Sequence, residues 1–406
     1  MASPSLYEFQ KVAIADLLGD KHLAIMGCGT GKTAVALNWM AKKVKETGIK
    51  KVCIWTTASK AHSSDWDDER QVFVPNCKLK QFEVISWNKA AAWTKEHINE
   101  LDKWVFIQDE IQRGKAGVSS GMGKAYLKVA ENTDNWIGLT ATPGDNWLHF
   151  YPYFQACGYV KNKTSFLRDF AIVQTFKGFP EIIGWRNESL LKKWWDAIAT
   201  TPDTSQMYNE LPPEIHTVVD FLKPKEYNTV RSTRMLNGEF LDTTMGLCHA
   251  LREMSFTKEK QQWIKDFVEG LGTNAVMFYN YIEEGDKLEE LIKSARKEAK
   301  VWRIDGKHHD IPTADTIGKY DIVLCQWQSG SEALNLQFLN YWVSVTPTYS
   351  YMTSVQARGR IKRIGQKHNC MFFYYLKCEG IESDVYKALK NKSDFSEEVY
   401  INGGNK

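Results

Sequence analysis

The segment IMGCGTGKT, residues 25–33, constrains this chain more than any other, because of what flanks it. HLAIM (22–26) reads as a buried strand, and TAVALNWMAKKVKE has apolar residues at helical spacing, so the glycines sit in a strand-to-helix turn. In that setting Gly29, Thr30 and Gly31 let the backbone curl with its N–H groups pointing inward, a cradle for phosphate oxygens. The helix N-terminus adds a favourable dipole, Lys32 reaches the β- and γ-phosphates, and the Thr33 hydroxyl is a ligand for Mg²⁺. The strict G-x-x-x-x-G-K-[ST] spacing calls for glycine at position 26, where this chain has Met26.

A strand leading into a helix through such a turn belongs to a parallel α/β sheet, and the surrounding pattern agrees. KVCIWTT (51–57), KWVFIQ (103–108) and NWIGLT (135–140) read as further buried strands separated by amphipathic stretches. From about 147 to 270 the pattern shifts to longer helical periods broken by Pro202, Pro212 and Pro213. Alternation then returns with NAVMFYNY (274–281), VWRID (301–305), DIVLCQ (321–326), NYWVSVTP (340–347) and MFFYYL (371–376). The expected architecture is therefore α/β with two parallel sheets covered by helices. The expected division is a first domain over 1–150, a mainly helical insertion or connector over 151–208, and a second domain over 209–406.

Strand 103–108 runs into Asp109 and Glu110. Beside a phosphate loop, an acid at the end of a neighbouring strand is placed to hold the metal's water shell, and the next acid to orient an attacking water as general base. Composition narrows the partners. A net charge of +3 gives no bulk attraction for nucleic acid, so such a partner needs a local basic surface. QARGRIKRIGQ (356–366) is the best local candidate, with Arg358, Arg360, Lys362 and Arg363, and Lys367 just beyond it. Eight cysteines without a C-x-x-C pair suit a reducing compartment, and no secretory leader pattern opens the chain, so an intracellular, cytoplasmic setting is expected.

Taken in order, LYEFQ (6–10), GTGKT (29–33), DEIQ (109–112), TATP (140–143) and QARGRIKRIGQ resemble the motifs of superfamily-two helicases. Within them the chain looks most like Swi/Snf-type DNA translocases, especially compact bacteriophage versions. TTASKAHSSDWDDE (56–69), with Trp66 and Glu69, DEIQRGKAG (109–117) and NELPPE (209–214) are similar to finer motifs of that branch.

The resemblance implies two RecA-like domains, ATP and Mg²⁺ as cofactors, and largely sequence-independent binding of duplex or single-stranded DNA. Carried over by position, it gives Gln10 the adenine, Lys32 and Thr33 the phosphates and metal, Asp109 the metal and Glu110 the water. Gln112 stands where the family often has histidine, and Thr140 and Thr142 would couple nucleotide state to the DNA side. SGSEALNLQ (329–337) occupies the place of the second domain's glycine-rich motif; with Ser59, Lys60 and Thr142, Ser329 and Gly330 would approach nucleic acid. Arg360 and Arg363, three residues apart, are expected on one helix face as an arginine pair acting on the γ-phosphoryl group. Arg358, Lys362 and Lys367 are expected at the surface or near DNA, and a basic helix touching only phosphate backbone stays open for the whole segment. An RNA helicase, an ATP-gated clamp and a nuclease-associated ATPase subunit also remain compatible with these residues. Partner proteins of replication or recombination would fit the same reading.

Overall fold

The computed structural model describes residues 5–144, 146–176, 179–330 and 334–402. The chain divides into two compact units, Met1–Tyr208 and Asn209–Lys406.

The first unit opens with helix α1 (Glu8–Leu18), strand β1 (Leu23–Ile25) and helix α2 (Lys32–Thr47). Strand β2 (Lys51–Thr56) leads into the short α3 (Ala58–His62) and α4 (Asp65–Phe73); β3 (Gln81–Ser86) leads into α5 (Trp87–Glu96). Then come β4 (Val105–Asp109), α6 (Gly121–Asn132) and β5 (Trp136–Thr140). Every residue of β4 and β5 is buried, as strands covered by helices on both faces require.

The rest of the unit adds α7 (Trp147–Ala156), α8 (Lys163–Phe170), the antiparallel hairpin β6 (Ala171–Phe176) and β7 (Phe179–Trp185), α9 (Glu188–Ile198), β8 (Ala199–Thr200) and α10 (Ser205–Glu210). The stretch 151–208, expected as a mainly helical connector, thus also carries a hairpin and an edge strand. Its Phe154, Phe166, Phe170, Leu191 and Ile198 share one apolar core with Trp55, Trp87 and Phe106. Trp194 and Trp195 are spent there too, against Phe154 and Phe150 with ring centroids 5.6 and 4.6 Å apart.

The sheet order is β3-β2-β4-β5-β1-β8, all parallel. Register pairs Ile25 with Thr140, Asp109 with Leu139, and Trp55 with Gln108. Consequently the turns after β1, β2, β4 and β5 emerge at one edge of the sheet, the carboxyl edge where α/β proteins bind ligands.

The second unit repeats the design. After β9 (Glu214–Phe221) come α11 (Tyr227–Thr233), the small hairpin β10 (Met235–Leu236) and β11 (Glu239–Phe240), α12 (Thr244–Met254) and α13 (Lys258–Gly270). Next are β12 (Ala275–Tyr279), α14 (Ile282–Ala295), β13 (Val301–Ile304), β14 (Ile322–Gln326), α15 (Trp327–Gly330) and β15 (Tyr341–Ser344). The unit closes with α16 (Tyr351–Arg358), β16 (Met371–Cys378), α17 (Ile381–Lys390) and α18 (Glu397–Asn402). Its sheet order is β13-β14-β12-β15-β16-β9, again parallel throughout. Among the described residues the chain therefore contains two six-stranded, helix-covered parallel sheets, the α/β architecture of two RecA-like units. No helix among the described residues is long and apolar enough to cross a membrane.

Candidate nucleotide site and its surroundings

The phosphate loop is shaped by two left-handed glycines, Gly29 at φ 76° and Gly31 at φ 80°. A side chain at 31 would suffer twice: the backbone angle disfavours it, and a Cβ there would lie 2.4 Å from Gln10 Nε2. Gln10 is buried at the start of α1, where its Oε1 accepts from the Tyr7 amide at 3.0 Å and its Nε2 donates to the Thr30 carbonyl at 2.9 Å. The first bond satisfies a donor that every helix start leaves unpaired. The second ties α1 to the loop, so the residue expected at an adenine is here also a brace for the phosphate turn. The Thr30 hydroxyl donates to the Gly27 carbonyl at 2.8 Å, closing the turn from inside.

Lys32 begins α2, and its ammonium donates to the Met26 and Gly27 carbonyls at 3.1 and 3.2 Å. It curls over the loop rather than extending into solvent, while the half-buried Thr33 follows it in the first turn of α2. Met26 itself is buried, its amide donating to the Thr140 carbonyl at 2.9 Å. The position that departs from strict spacing thus anchors the loop to β5.

At the end of β4, Asp109 is only 1% exposed. Its Oδ2 accepts from the Thr56 hydroxyl at 2.8 Å and from Lys60 Nζ at 3.0 Å, and its backbone carbonyl accepts from Trp87 Nε1 at 2.7 Å. Burial alone would raise the carboxyl's pKa; the Lys60 charge and hydrogen bond, the Lys32 charge and the Thr56 hydroxyl outweigh it and hold the group below its ordinary value. Asp109 is therefore an anion at neutral pH.

Glu110 sits at φ 55°, ψ 47°, a left-handed conformation that a residue with a Cβ adopts at a cost of roughly 1–3 kcal/mol. That geometry turns the chain out of β4 and into a short 3₁₀ turn, Ile111–Gly114. Glu110 Oε2 accepts from Gln112 Nε2 at 2.6 Å. Gln112 Oε1 is buried and has no hydrogen-bond partner among the described residues. The Thr140 hydroxyl accepts from the Thr142 amide at 2.8 Å, holding the turn that follows β5.

This donor set fits a nucleotide with its divalent cation. The glycine cradle, the Lys32 ammonium, the Thr33 hydroxyl, the ionised Asp109 and the orphaned Gln112 acceptor lie on turns that leave one sheet edge. Two contributors escape the sequence pattern. Thr56 ends β2, the strand paired with β4, and Trp87 opens α5 directly after β3, one strand further out; both reach Asp109 through the tertiary arrangement of the sheet, which short motifs do not encode. Lys60, expected near nucleic acid, points its ammonium at Asp109 instead, while the neighbouring Ser59 is exposed.

In the second unit the arginine segment departs from its expected geometry. Helix α16 ends at Arg358 with Gly359 as cap, so Arg360 and Arg363 lie in successive turns beyond it, not on one helix face. Gly365 at φ 94° continues the irregular path. Arg363 Nη1 donates to the Leu334 carbonyl at 3.3 Å and to Asn335 Oδ1 at 2.6 Å; Gln366 Nε2 donates to the Leu339 carbonyl at 2.8 Å. The R-I-G-Q turn is thereby docked on the 334–339 loop. Arg360 lies near the Cys325 thiol, which burial pushes up and the Arg360 charge pulls back. Lys362, expected at the surface or near DNA, is drawn into an ion pair with Glu214 on β9. Ser329 and Gly330 belong to the four-residue α15, and Ser331–Ala333 lie outside the described residues.

No family model matches the chain. Over 123 residues, 29% of its length, it is 28% identical to the mouse (Mus musculus) "DNA excision repair protein ERCC-6-like". It spans about a tenth of that relative, 10% of its length. Among solved structures it is similar to the Sulfolobus solfataricus SWI2/SNF2 ATPase core in complex with dsDNA, with 15% identity, 99% of this chain and 94% of that chain covered, and a TM-score of 0.44.

Proposed function

We propose that the chain is an ATP-dependent DNA translocase of the superfamily-two, Swi/Snf-like kind, coupling hydrolysis of ATP to movement along DNA. The observation that carries this reading is the single sheet edge on which a glycine-shaped phosphate turn, Lys32, the ionised Asp109 and the strained Glu110–Gln112 pair converge. When bound, Mg²⁺ supplies Lewis-acid charge to the phosphates, with Thr33 and Asp109 as the residues that hold it.

Gln10, Gly29, Thr30, Gly31 and Lys32 bind and orient the triphosphate. Glu110, turned out of β4 by its left-handed backbone, takes a proton from the attacking water. Gln112 holds the Glu110 carboxylate in place through its amide and offers its free carbonyl oxygen to the same region. Arg360 and Arg363 supply guanidinium charge to the γ-phosphoryl group as it develops negative charge, an effect worth about 10³–10⁵ in rate where it operates. Ser59, Thr142, Ser329 and Gly330 are assigned to phosphate-backbone contact, which gives sequence-independent and salt-sensitive binding. A DNA track rather than RNA accords with the partial similarity to a DNA excision repair protein. A bacteriophage or bacterial role in replication or recombination belongs to the same reading.

Triplex displacement tests it: the chain with ATP should strip a third strand from duplex DNA, and Lys32→Ala should not. Strong hydrolysis stimulated by RNA alone would instead favour an RNA helicase.

A further inference from the structure

Asp109 is in direct contact with one ammonium group and feels the charge of a second. Lys32 is engaged by the Met26 and Gly27 carbonyls of the phosphate loop, whereas Lys60 makes an ion pair with Asp109 Oδ2 at 3.0 Å. The two lysines are held differently. Lys32 opens the sixteen-residue α2; Lys60 lies on the five-residue α3, with 24% of its side chain exposed and its ammonium also 5.9 Å from the Trp66 ring centroid. Asp109 is the same carboxylate that the proposed function gives to the divalent cation. The incoming phosphates give the Lys32 ammonium partners of its own, whereas a divalent cation reaching Asp109 meets the Lys60 ammonium on the same carboxylate and competes with it for that charge. Lys60 is the one of the two lysines that lies on a short helix with a partly exposed side chain.

We propose that Lys60 is a built-in counter-ion of Asp109 that competes with the nucleotide's divalent cation and swings to the surface when that cation binds. Its release delivers a positive charge to the face of α3 that already exposes Ser59, so metal loading at the nucleotide site adds a phosphate-attracting group beside it. The Thr56 hydroxyl keeps its bond to Oδ2 and holds the carboxylate in orientation throughout. This inference rests on the nucleotide reading above and adds to it the residue that couples metal occupancy to the surface.

Amine acylation of the full-length chain, read at Lys60 by mass spectrometry, tests it without mutation. Lys60 should be protected in the free protein and with ADP plus EDTA, and become several-fold more reactive with ADP plus Mg²⁺. Unchanged or lower reactivity, with ADP binding demonstrated in parallel by calorimetry, would overturn the competition while leaving the nucleotide site intact. Failure of ADP to bind at all would overturn the nucleotide reading and this inference with it.

A second measurement uses Mn²⁺ titration in the presence of ADP, followed by electron paramagnetic resonance. Lys60→Met should bind Mn²⁺ on the order of tenfold more tightly than the native chain, and Lys60→Arg close to the native value. Equal or weaker Mn²⁺ binding by Lys60→Met would mean that the lysine positions Asp109 instead of competing for it.

Discussion

Glu110 shows how a single residue can stand against its own backbone. At φ 55° it occupies a region where asparagine or glycine is at ease and glutamate is not, so its presence there trades stability for a carboxylate at that spot. Glu110→Asn should therefore keep or raise the unfolding free energy, by up to about 1 kcal/mol, while lowering the hydrolysis rate by a factor of about 10²–10⁴. A variant that loses stability and keeps its rate would place the general base elsewhere. Other residue-scale roles were less legible. The G-T-G-K-T run and the Asp-Glu pair are visible as letters because a local turn and a strand end need those residue types. Thr56 and Trp87 are not visible, because they reach Asp109 only through the pairing of β2 with β4 and the start of α5.

Among the elements, the fully buried central strands are the ones that apolar runs announce most plainly. NAVMFYNY and KWVFIQ became β12 and β4 with all residues buried, because an uninterrupted apolar run has no other place to go. Two edge strands were harder to see: β3 carries Glu83, whose carboxylate accepts from Trp93 Nε1 at 2.7 Å, and β9 buries only its last residue, Phe221, and begins directly after two prolines. The arginine turns are a similar case. Their three-residue spacing suggests a helix, but Gly359 ends α16 before either arginine is reached.

Elements of the second unit are fastened by buried charge. Lys260 on α13 and Glu382 on α17 are fully buried, with Nζ 3.0 and 2.9 Å from the two carboxylate oxygens, and Glu382 Oε2 also accepts from the Cys378 amide. Glu382→Leu or Lys260→Met alone should cost about 3–5 kcal/mol in denaturant unfolding, and the double variant much less, since the loss comes from stranding one charge. Additive losses would contradict that account.

Asp305, at the end of β13, is a second fastening. Burial would raise its carboxyl; the Lys307 and His308 amides, the Tyr279 hydroxyl and the His308 ring hold it well below its ordinary value of 3.8. A depressed folded-state pKa means its stabilising contribution is complete above that ordinary value and is lost as pH falls below it. The stability gap between the native chain and Asp305→Asn should therefore be constant near neutrality and close in acid. A gap that widens on acidification would show that the carboxylate is not held as an anion.

The whole molecule consists of two units, each with its own parallel sheet and core, and the proposed chemistry draws on both: Lys32, Asp109 and Glu110 from one, Arg360 and Arg363 from the other. The fold class was readable in the sequence because strand–helix alternation occurs twice. How the stretch 151–208 sits on the first sheet was not, because aromatic side chains that pack into a shared core look the same in sequence as those that stack on a ligand. Nucleic acid is proposed to stimulate ATP hydrolysis by Lys32 and Glu110, with Arg363 raising the rate. The most direct measurement is steady-state ATP hydrolysis by the full chain with and without duplex DNA, for the native protein, Lys32→Ala and Arg363→Ala. Strong stimulation by DNA is expected in the native chain, loss of hydrolysis in Lys32→Ala, and retained nucleotide binding with a rate lower by about 10³-fold or more in Arg363→Ala. A native chain that no nucleic acid stimulates, or an Arg363→Ala variant that hydrolyses ATP at the native rate, would contradict that proposal.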